Sequence, residues 1–143
     1  MIYSKITGTG KYLPDHILTN KDLEEMVDTS DDWIKSRTGV EKRHIASDDQ
    51  STSDLAYEAA KIAISNSSTN LDEIDLIIVG TCTPDLVFPN TATLVQEKLG
   101  IGGCPAFSLE TACSGFIYAA AVADKFIKLG EAKCALVIGA DCL

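Results

Sequence analysis

Cys113 stands in the stretch "ETACSGF" (110–116), between the short apolar run "PAFSL" and the long apolar stretch "IYAAAVADKFI". That order predicts a strand, a tight junction and a helix, with the thiol at the junction. The thiolate is the reactive form of cysteine, and a helix N-terminus favours it. No acidic residue occupies the first turn, and Ser114 and Gly115 are small, so a substrate can approach the backbone closely. Unpaired N–H groups at such a turn, that of Cys113 among them, can hold a carbonyl oxygen as it becomes an oxyanion. A nucleophile carried on a sharp strand-to-helix turn suits covalent acyl transfer. A second reading stays open, because free cysteine is among the most buried residue types and Cys113 can equally be a small core hydrophobe.

The other four cysteines carry less. Cys82, Cys134 and Cys142 lie in or beside strand patterns and are expected to be structural, and Cys104 falls in a loop. An odd number of cysteines with no C-x-x-C spacing makes neither a disulfide framework nor a zinc site, so no metal is expected. A reactive thiolate usually works with an acid–base partner. The two histidines, His16 after Pro14 and His44 in "EKRH", read as loop residues, and neither sits at a strand end aimed at Cys113.

A second group of chemical interest is Thr29, Trp33 and Arg37, spaced i, i+4, i+8. On a helix this spacing lines one face. The face holds a hydroxyl, the single Trp of the chain and a guanidinium. A flat ring stacks on a nucleobase and Arg pairs with phosphate, which suits an adenine nucleotide carrier such as coenzyme A. The alternative has Thr29 as a helix cap, Trp33 in the core and Arg37 as a surface charge, and spacing does not separate the two. The surrounding "KSRTGVEKRH" concentrates Lys35, Arg37, Lys42 and Arg43 against Glu41, in a chain of formal net charge -9. Such a cluster suits a small anion or is a solvated turn, while the acidic balance of the whole argues against nucleic acid.

The elements that must position these residues alternate. "IYSKITGTGKYLP" predicts a strand from Ile2 to Pro14. Its Gly8 and Gly10 do not make a dinucleotide fingerprint, since Leu13 takes the third glycine position. Asn20 is expected to cap a short helix carrying Asp22, Glu24 and Glu25. Thr29 or Ser30 is expected to cap a second, which Gly39 ends. "STSDLAYEAAKIAISN" predicts an amphipathic helix with Leu55, Ala59, Ile62 and Ala63 on its apolar side, followed by a polar loop at 65–70. "DLIIVGTC" and "KCALVIGAD" predict strands buried on both faces. "NTATLVQEKLG" predicts a helix closed by Gly100, "PAFSLE" a strand, and "CSGFIYAAAVADKFIKLG" a helix ended by Gly130. The class is α/β, with helices on both faces of the sheet. From Phe116 to Val122 the last helix is apolar on every side and is expected to be buried all round. It therefore calls for a further layer, so the chain is expected to be part of a longer protein or to be covered by a second subunit. A simple three-layer sandwich is the alternative. No h-region of signal-peptide length opens the chain and no apolar run reaches the ~18 residues of a transmembrane helix, so a reducing cytoplasm, free thiols and no membrane are expected.

Taken together, "GTGKYLP", "TNKDLEEMVDTSDDWIKSRTG", "EKRHIA", "GCPAF", "ACSGF" and "ALVIGAD" are matched in order along almost the whole chain. The sequence resembles β-ketoacyl-acyl carrier protein synthase III, the condensing enzyme that starts bacterial fatty-acid synthesis. The resemblance implies a thiolase-like fold: two similar α/β halves in five αβαβα layers with a mixed, mostly parallel sheet, assembled as a homodimer. Residues 1–143 would form the N-terminal part of it. Cys113 would be the nucleophile that takes a short acyl group from acyl-CoA, with its N–H as half of the oxyanion hole. Trp33 would stack on the CoA adenine, and Thr29 and Arg37 would touch the same carrier. Phe88, in "LVFPN", would lie at the dimer interface and close the partner subunit's acyl pocket. The acyl-enzyme would then condense with malonyl-acyl carrier protein, losing carbon dioxide and giving acetoacetyl-acyl carrier protein. No cofactor is implied beyond the CoA thioester as substrate. The family's acid–base His, carried by an "HQAN"-type motif, and its Asn belong to the second half and have no counterpart in these residues, so the resemblance implies self-acylation of Cys113 at most for the chain alone. Another CoA-dependent condensing enzyme of the superfamily, or a catalytically incomplete fragment, are the other functions the sequence allows.

Overall fold

The computed structural model describes residues 2–143. In chain order its elements are β1 (His16–Thr19), α1 (Asn20–Glu24), α2 (Asp31–Thr38), β2 (Lys42–Ile45), α3 (Thr52–Ser65), β3 (Leu76–Gly80), α4 (Thr91–Leu99), β4 (Ala106–Leu109), α5 (Gly115–Leu129) and β5 (Ala135–Gly139). They fall into two compact units, one of residues up to Tyr12 with Ser51–Leu143, the other Leu13–Gln50.

The larger unit is built on a parallel sheet of order β4-β3-β5. The chain leaves β3 for β4 on one side and then returns past β3 to β5 on the other. Parallel crossovers are right-handed, so reversing the direction of travel puts the two crossover helices on opposite faces. Accordingly Ile77 and Val79 pack with Leu136 and Ile138 against Ala56, Ala60, Ala92 and Val95 of α3 and α4. Leu76 and Ile78 pack against Ala119 and Ala123 of α5, beside Phe107, Leu109 and Val137. β3 is buried at every residue, as its unbroken apolar run predicts.

Four expectations are corrected in this unit. β5 is buried only at alternate residues, Leu136 and Ile138, because it is an edge strand of this sheet. The face of α3 turned to the sheet carries Ala56 and Ala60, whereas Ile62 is exposed. Ala59 and Ala63 meet the N-terminal segment instead. Residues 2–14 form no strand. They pass so close to α3 that a Cβ on Gly8 would come within 2.3 Å of the Ala63 carbonyl, and one on Gly10 equally near that of Ala59. Finally, α5 is not buried all round: Gly115, Ala119 and Ala123 face the sheet, while Phe116, Ile117 and Tyr118 are exposed.

α3 and α4 are also tied electrostatically. Asp54 accepts from the Ser51 N–H at 3.0 Å and the Ser51 hydroxyl at 2.6 Å, closing a capping box, and pairs with Lys98 of α4. The Lys98 ammonium, and then the Ser51 hydroxyl, pull the Asp54 carboxyl down from an ordinary 3.8 to about 2. A depressed carboxylate contributes stability that is complete above its unfolded pKa and is lost as pH falls through the folded one. Between about pH 4 and pH 2 the wild-type melting temperature is expected to fall more steeply than that of Asp54→Asn, which starts lower at neutral pH. Melting curves across that window that run parallel for the two proteins would refute this.

In the smaller unit β1 and β2 form an antiparallel ribbon, pairing His16 with Ile45 and Thr19 with Lys42. Thr19, not Asn20, caps α1: its Oγ1 accepts from the Asp22 N–H at 3.2 Å, and Asp22 accepts in return from the Thr19 N–H at 2.7 Å. Asn20 is buried and does more. Its amide donates to Asp31 Oδ1 at 2.7 Å and to the Val40 carbonyl at 2.8 Å, and its Oδ1 accepts from Arg43 Nη1 at 2.6 Å. A side chain with both donors and an acceptor can join helix, loop and ribbon at one point. Ser30 caps α2, and Gly39 ends it in the left-handed conformation.

Candidate active site

Cys113 lies in a short 3-10 turn, Ala112–Ser114, between the end of β4 and the start of α5. Its side chain is exposed, which excludes the buried-hydrophobe reading within this structure. Ala112, immediately before it, has φ 46, a left-handed conformation that costs a residue with a Cβ about 1–3 kcal/mol. The Ser114 N–H is taken by the Thr111 carbonyl at 3.1 Å, and that of Gly115 by the Ala112 carbonyl. The Cys113 N–H has no partner among the described residues and is free to donate outward, as an oxyanion donor must be.

The fold explains where this turn sits. To reach β5, the chain leaving β4 must pass over the carboxyl end of β3, and α5 begins there. Gly80, the last residue of β3, and Gly115, the first of α5, meet backbone to backbone: a Cβ on Gly80 would stand 2.4 Å from the Gly115 carbonyl carbon. One on Gly139, the last residue of β5, would stand 2.9 Å from Phe116 Cβ. Two strands that end in glycine at the same register therefore seat the start of α5.

The loop leaving β3 runs toward the other face of the sheet and holds Phe88. Loops that diverge from neighbouring strand ends leave a crevice at the carboxyl edge of an open α/β sheet, the usual place for a ligand. Thr52 Oγ1 donates to the Thr83 carbonyl at 2.5 Å, and Asp85 accepts from the Ser53 N–H at 3.0 Å. Burial raises the Asp85 carboxyl, but hydrogen bonds from Ser51 and Ser53 outweigh it and hold the group below the ordinary range. Past these anchors Leu86, Val87 and Phe88 project into solvent, Phe88 being 87% exposed. The Phe88–Pro89 peptide is cis.

The face predicted at 29, 33 and 37 is only partly formed. α2 starts at Asp31, so Thr29 precedes it, outside the helix and without helical spacing to Trp33. Ser30 takes the capping role, accepting from the Trp33 N–H at 3.2 Å. Ile34, not Trp33, is the buried residue of α2. Trp33 is 55% exposed, and the Arg37 guanidinium lies over its ring, 5.7 Å from the centroid. Of the basic cluster, Lys35 is paired with Asp31 at 3.0 Å and Arg43 is used by Asn20. Among the described residues Arg37 and Lys42 have no carboxylate partner. The structure thus joins Trp33 with Arg37 on α2, and sets Cys113 and the Phe88 loop on strands of the other unit. Both histidines are in the ribbon, where His44 Nδ1 stands 2.6 Å from the Pro14 carbonyl oxygen, so the unit that carries Cys113 has no histidine.

Residues 107–143, from β4 through Cys113 to the loop after β5, match the family model described as 3-oxoacyl-[acyl-carrier-protein (ACP)] synthase III. A curated relative from Xanthomonas campestris pv. campestris, named beta-ketoacyl-[acyl-carrier-protein] synthase III, is 59% identical over 142 residues, 99% of this chain and 44% of its own length. The crystal structure of 3-oxoacyl-[acyl-carrier-protein] synthase III from Aquifex aeolicus superposes with a TM-score of 0.94 at 52% identity, covering 97% of this chain and 45% of that one. Over nearly its whole length the chain is similar to β-ketoacyl-[acyl-carrier-protein] synthases III. It has the thiolase-like α/β fold of those structures, and it spans less than half the length of the curated relatives it matches. The priming β-ketosynthase of the R1128 polyketide pathway is similar too, with a TM-score of 0.93 at 28% identity, over 98% of this chain and 42% of that one.

Several residues that build the candidate site escape a reading by motif. Gly80 and Gly139 were legible only as the glycines on which "LIIVG" and "LVIG" both end. Nothing local marks Ala112 for its left-handed backbone. Cys82, expected to be structural, is exposed beyond the end of β3, because the strand stops at Gly80. Cys104 accepts a hydrogen bond on its Sγ from Gln96 at 3.2 Å, and burial pushes the Cys134 thiol up, so both are packing residues.

Proposed function

We propose that this chain carries the nucleophile and part of the carrier site of an enzyme that condenses a short acyl-CoA with malonyl-acyl carrier protein. The observation that carries the reading is the exposed Cys113 on its strained turn, with its own N–H unpaired. The Cys113 thiolate attacks the thioester carbonyl of acyl-CoA. The oxyanion is held by the Cys113 N–H, and collapse expels the CoA thiolate to leave an S-acyl cysteine. Malonyl-acyl carrier protein then loses carbon dioxide, its α-carbon attacks the acyl carbonyl, and the Cys113 thiolate departs, giving acetoacetyl-acyl carrier protein from an acetyl primer. Acid–base residues for that second half are not found beside Cys113 in its unit. No resident cofactor or metal is needed, since CoA enters as substrate.

Trp33 and Arg37 supply the nucleotide contacts, an exposed indole for the adenine and a guanidinium with no carboxylate partner for phosphate; Thr29 offers a hydroxyl from the segment that precedes α2. Replacing Trp33 with Ala is expected to raise KM for acyl-CoA about tenfold, the value of one lost base–aromatic stack. The rate at which iodoacetamide alkylates Cys113 stays unchanged, and a KM within twofold of wild type would remove Trp33 from the site. Phe88, with Leu86 and Val87, suits a homodimer contact that completes the partner subunit's acyl pocket, and Phe116, Ile117 and Tyr118 add exposed apolar surface. Residues 1–143 would then be part of a larger thiolase-like domain. No helix among the described residues is long and apolar enough to cross a membrane, and a cytoplasmic enzyme without nucleic-acid partners fits the charge and the thiols.

The test is product analysis on the complete protein, supplied with acetyl-CoA and malonyl-acyl carrier protein. Acetoacetyl-acyl carrier protein and carbon dioxide in equal amounts are expected. The likeness to a polyketide priming synthase favours one other reading, a CoA-dependent condensing enzyme with a different extender. Acylation of Cys113 by acyl-CoA with refusal of malonyl-acyl carrier protein would select it.

A further inference from the structure

Beyond Gly80 and Gly139 the β3–β5 ladder ends: its last backbone bond runs from the Ala140 N–H to the Gly80 carbonyl at 3.1 Å. One side chain takes over. Asp141 Oδ1 accepts from the Cys82 N–H at 2.7 Å, from Thr81 Oγ1 at 3.1 Å and from Thr83 Oγ1 at 3.2 Å. Thr83 Oγ1 accepts in turn from the Cys142 N–H at 2.9 Å. A single carboxylate oxygen on the exit of β5 thus gathers the three residues that leave β3. Charge-assisted bonds of this kind are the stronger class. They lie just above the glycines that receive the start of α5. The start of α5, directly after the Cys113 turn, meets the sheet where Gly115 lies on Gly80 and Phe116 on Gly139, so the spacing of those two strand ends bears on where the turn sits.

We propose that Asp141 is a positioning residue for the Cys113 turn, fixing the gap between the β3 and β5 ends on which that turn is seated. The proposal rests on Cys113 being the acylated residue. With the carboxylate gone, residues 81–83 lose their common acceptor, the ends of β3 and β5 separate, and the Cys113 N–H moves off the carbonyl oxygen it must meet. Substrate binding, which draws on Trp33 and Arg37, is left alone.

The complete protein is compared with Asp141→Ala and Asp141→Asn in two measurements. One is acylation of Cys113 by acetyl-CoA followed by intact mass; the other is amide hydrogen exchange over residues 81–83 and 112–116. Asp141→Ala is expected to slow acylation about tenfold at saturating acetyl-CoA with KM within twofold, the size expected when a reacting group is displaced by a fraction of an ångström. Exchange rises in both segments. Asp141→Asn keeps an acceptor oxygen at the same place and restores most of the rate and protection, which a merely structural loss of charge would not allow. Faster exchange at 81–83 with residues 112–116 unmoved overturns the proposal, whatever the wild type does with acetyl-CoA. An unacylated wild type with coupled exchange would refute the functional reading and leave the mechanical one standing. Should Asp141→Ala not fold, Thr83→Val removes one donor to the same oxygen, and coupled exchange in the two segments is required there too.

Discussion

In Cys113→Ala the acetyl adduct disappears: exposed to acetyl-CoA, the complete variant protein keeps its unmodified mass, and the acylation rate falls by at least about 10³-fold, as for other removed nucleophiles. The change is local. Cys113 is exposed and its thiol has no hydrogen-bond partner among the described residues, so no packing is lost with it. The N–H of residue 113 remains, and Ala accepts the same turn. Loss of reaction with an unchanged melting temperature separates chemistry from folding. Peptide mapping supplies the sharper arm, because Cys82 is also exposed and lies at the same edge of the sheet. Cys82→Ala should keep the adduct. Transfer of the label to Cys82, or retention of the full adduct in Cys113→Ala, would contradict the assignment of the nucleophile.

Gly80→Ala carries the next largest effect, from one methyl group. A Cβ there would stand 2.4 Å from the carbonyl carbon of Gly115 and 2.8 Å from its Cα, distances that backbone atoms do not tolerate. Either α5 lifts at its N-terminus or β3 bends. Overpacking of this sort costs about 1–3 kcal/mol. Lifting α5 also carries the Cys113 turn away from its seat, and displacement by about an ångström is worth roughly 10² in rate. Gly100→Ala is the control. It strains the left-handed cap of α4, at φ 71, with nothing within 4 Å of the added methyl. It should lose about 1 kcal/mol of stability and keep the acylation rate. Equal acylation in the two glycine variants would show that the close approach of Gly80 and Gly115 is not what places Cys113.

Much of the fold was legible because the periodicities were strong. "LIIVG" is an unbroken apolar run rich in β-branched residues, the mark of a strand covered on both faces, and β3 is that strand. The caps at Ser30, Gly100 and Gly130 follow from side-chain oxygens and backbone freedom that act within a few residues. The misreadings share a cause. Residues 2–14 alternate loosely, yet strand formation needs a partner edge, and this segment packs on α3 instead. Asn20 has a good capping side chain, but Thr19 forms the reciprocal box with Asp22, which frees the amide for Asp31, Val40 and Arg43. Thr29 shares a helical face with Trp33 only if the helix reaches it, and the Ser30 cap stops it short.

The candidate site divides in the same way. By itself the sequence determined that a thiol follows a strand and precedes a helix with small residues at its start. It also determined that a Trp and an Arg stand four apart on a short helix, and that no histidine accompanies the cysteine in its stretch of chain. These are properties of neighbours along the backbone, and local chemistry is enough to set them. Only the tertiary structure decided that β5 returns past β3, so that α5 starts on Gly80; that Ala112 takes a left-handed backbone to point its neighbour outward; and that one Asp141 oxygen closes the strand ends beneath the turn. Those features join residues some thirty to sixty positions apart. Their energies exist only once the strands have paired, and no local pattern in the chain can record them.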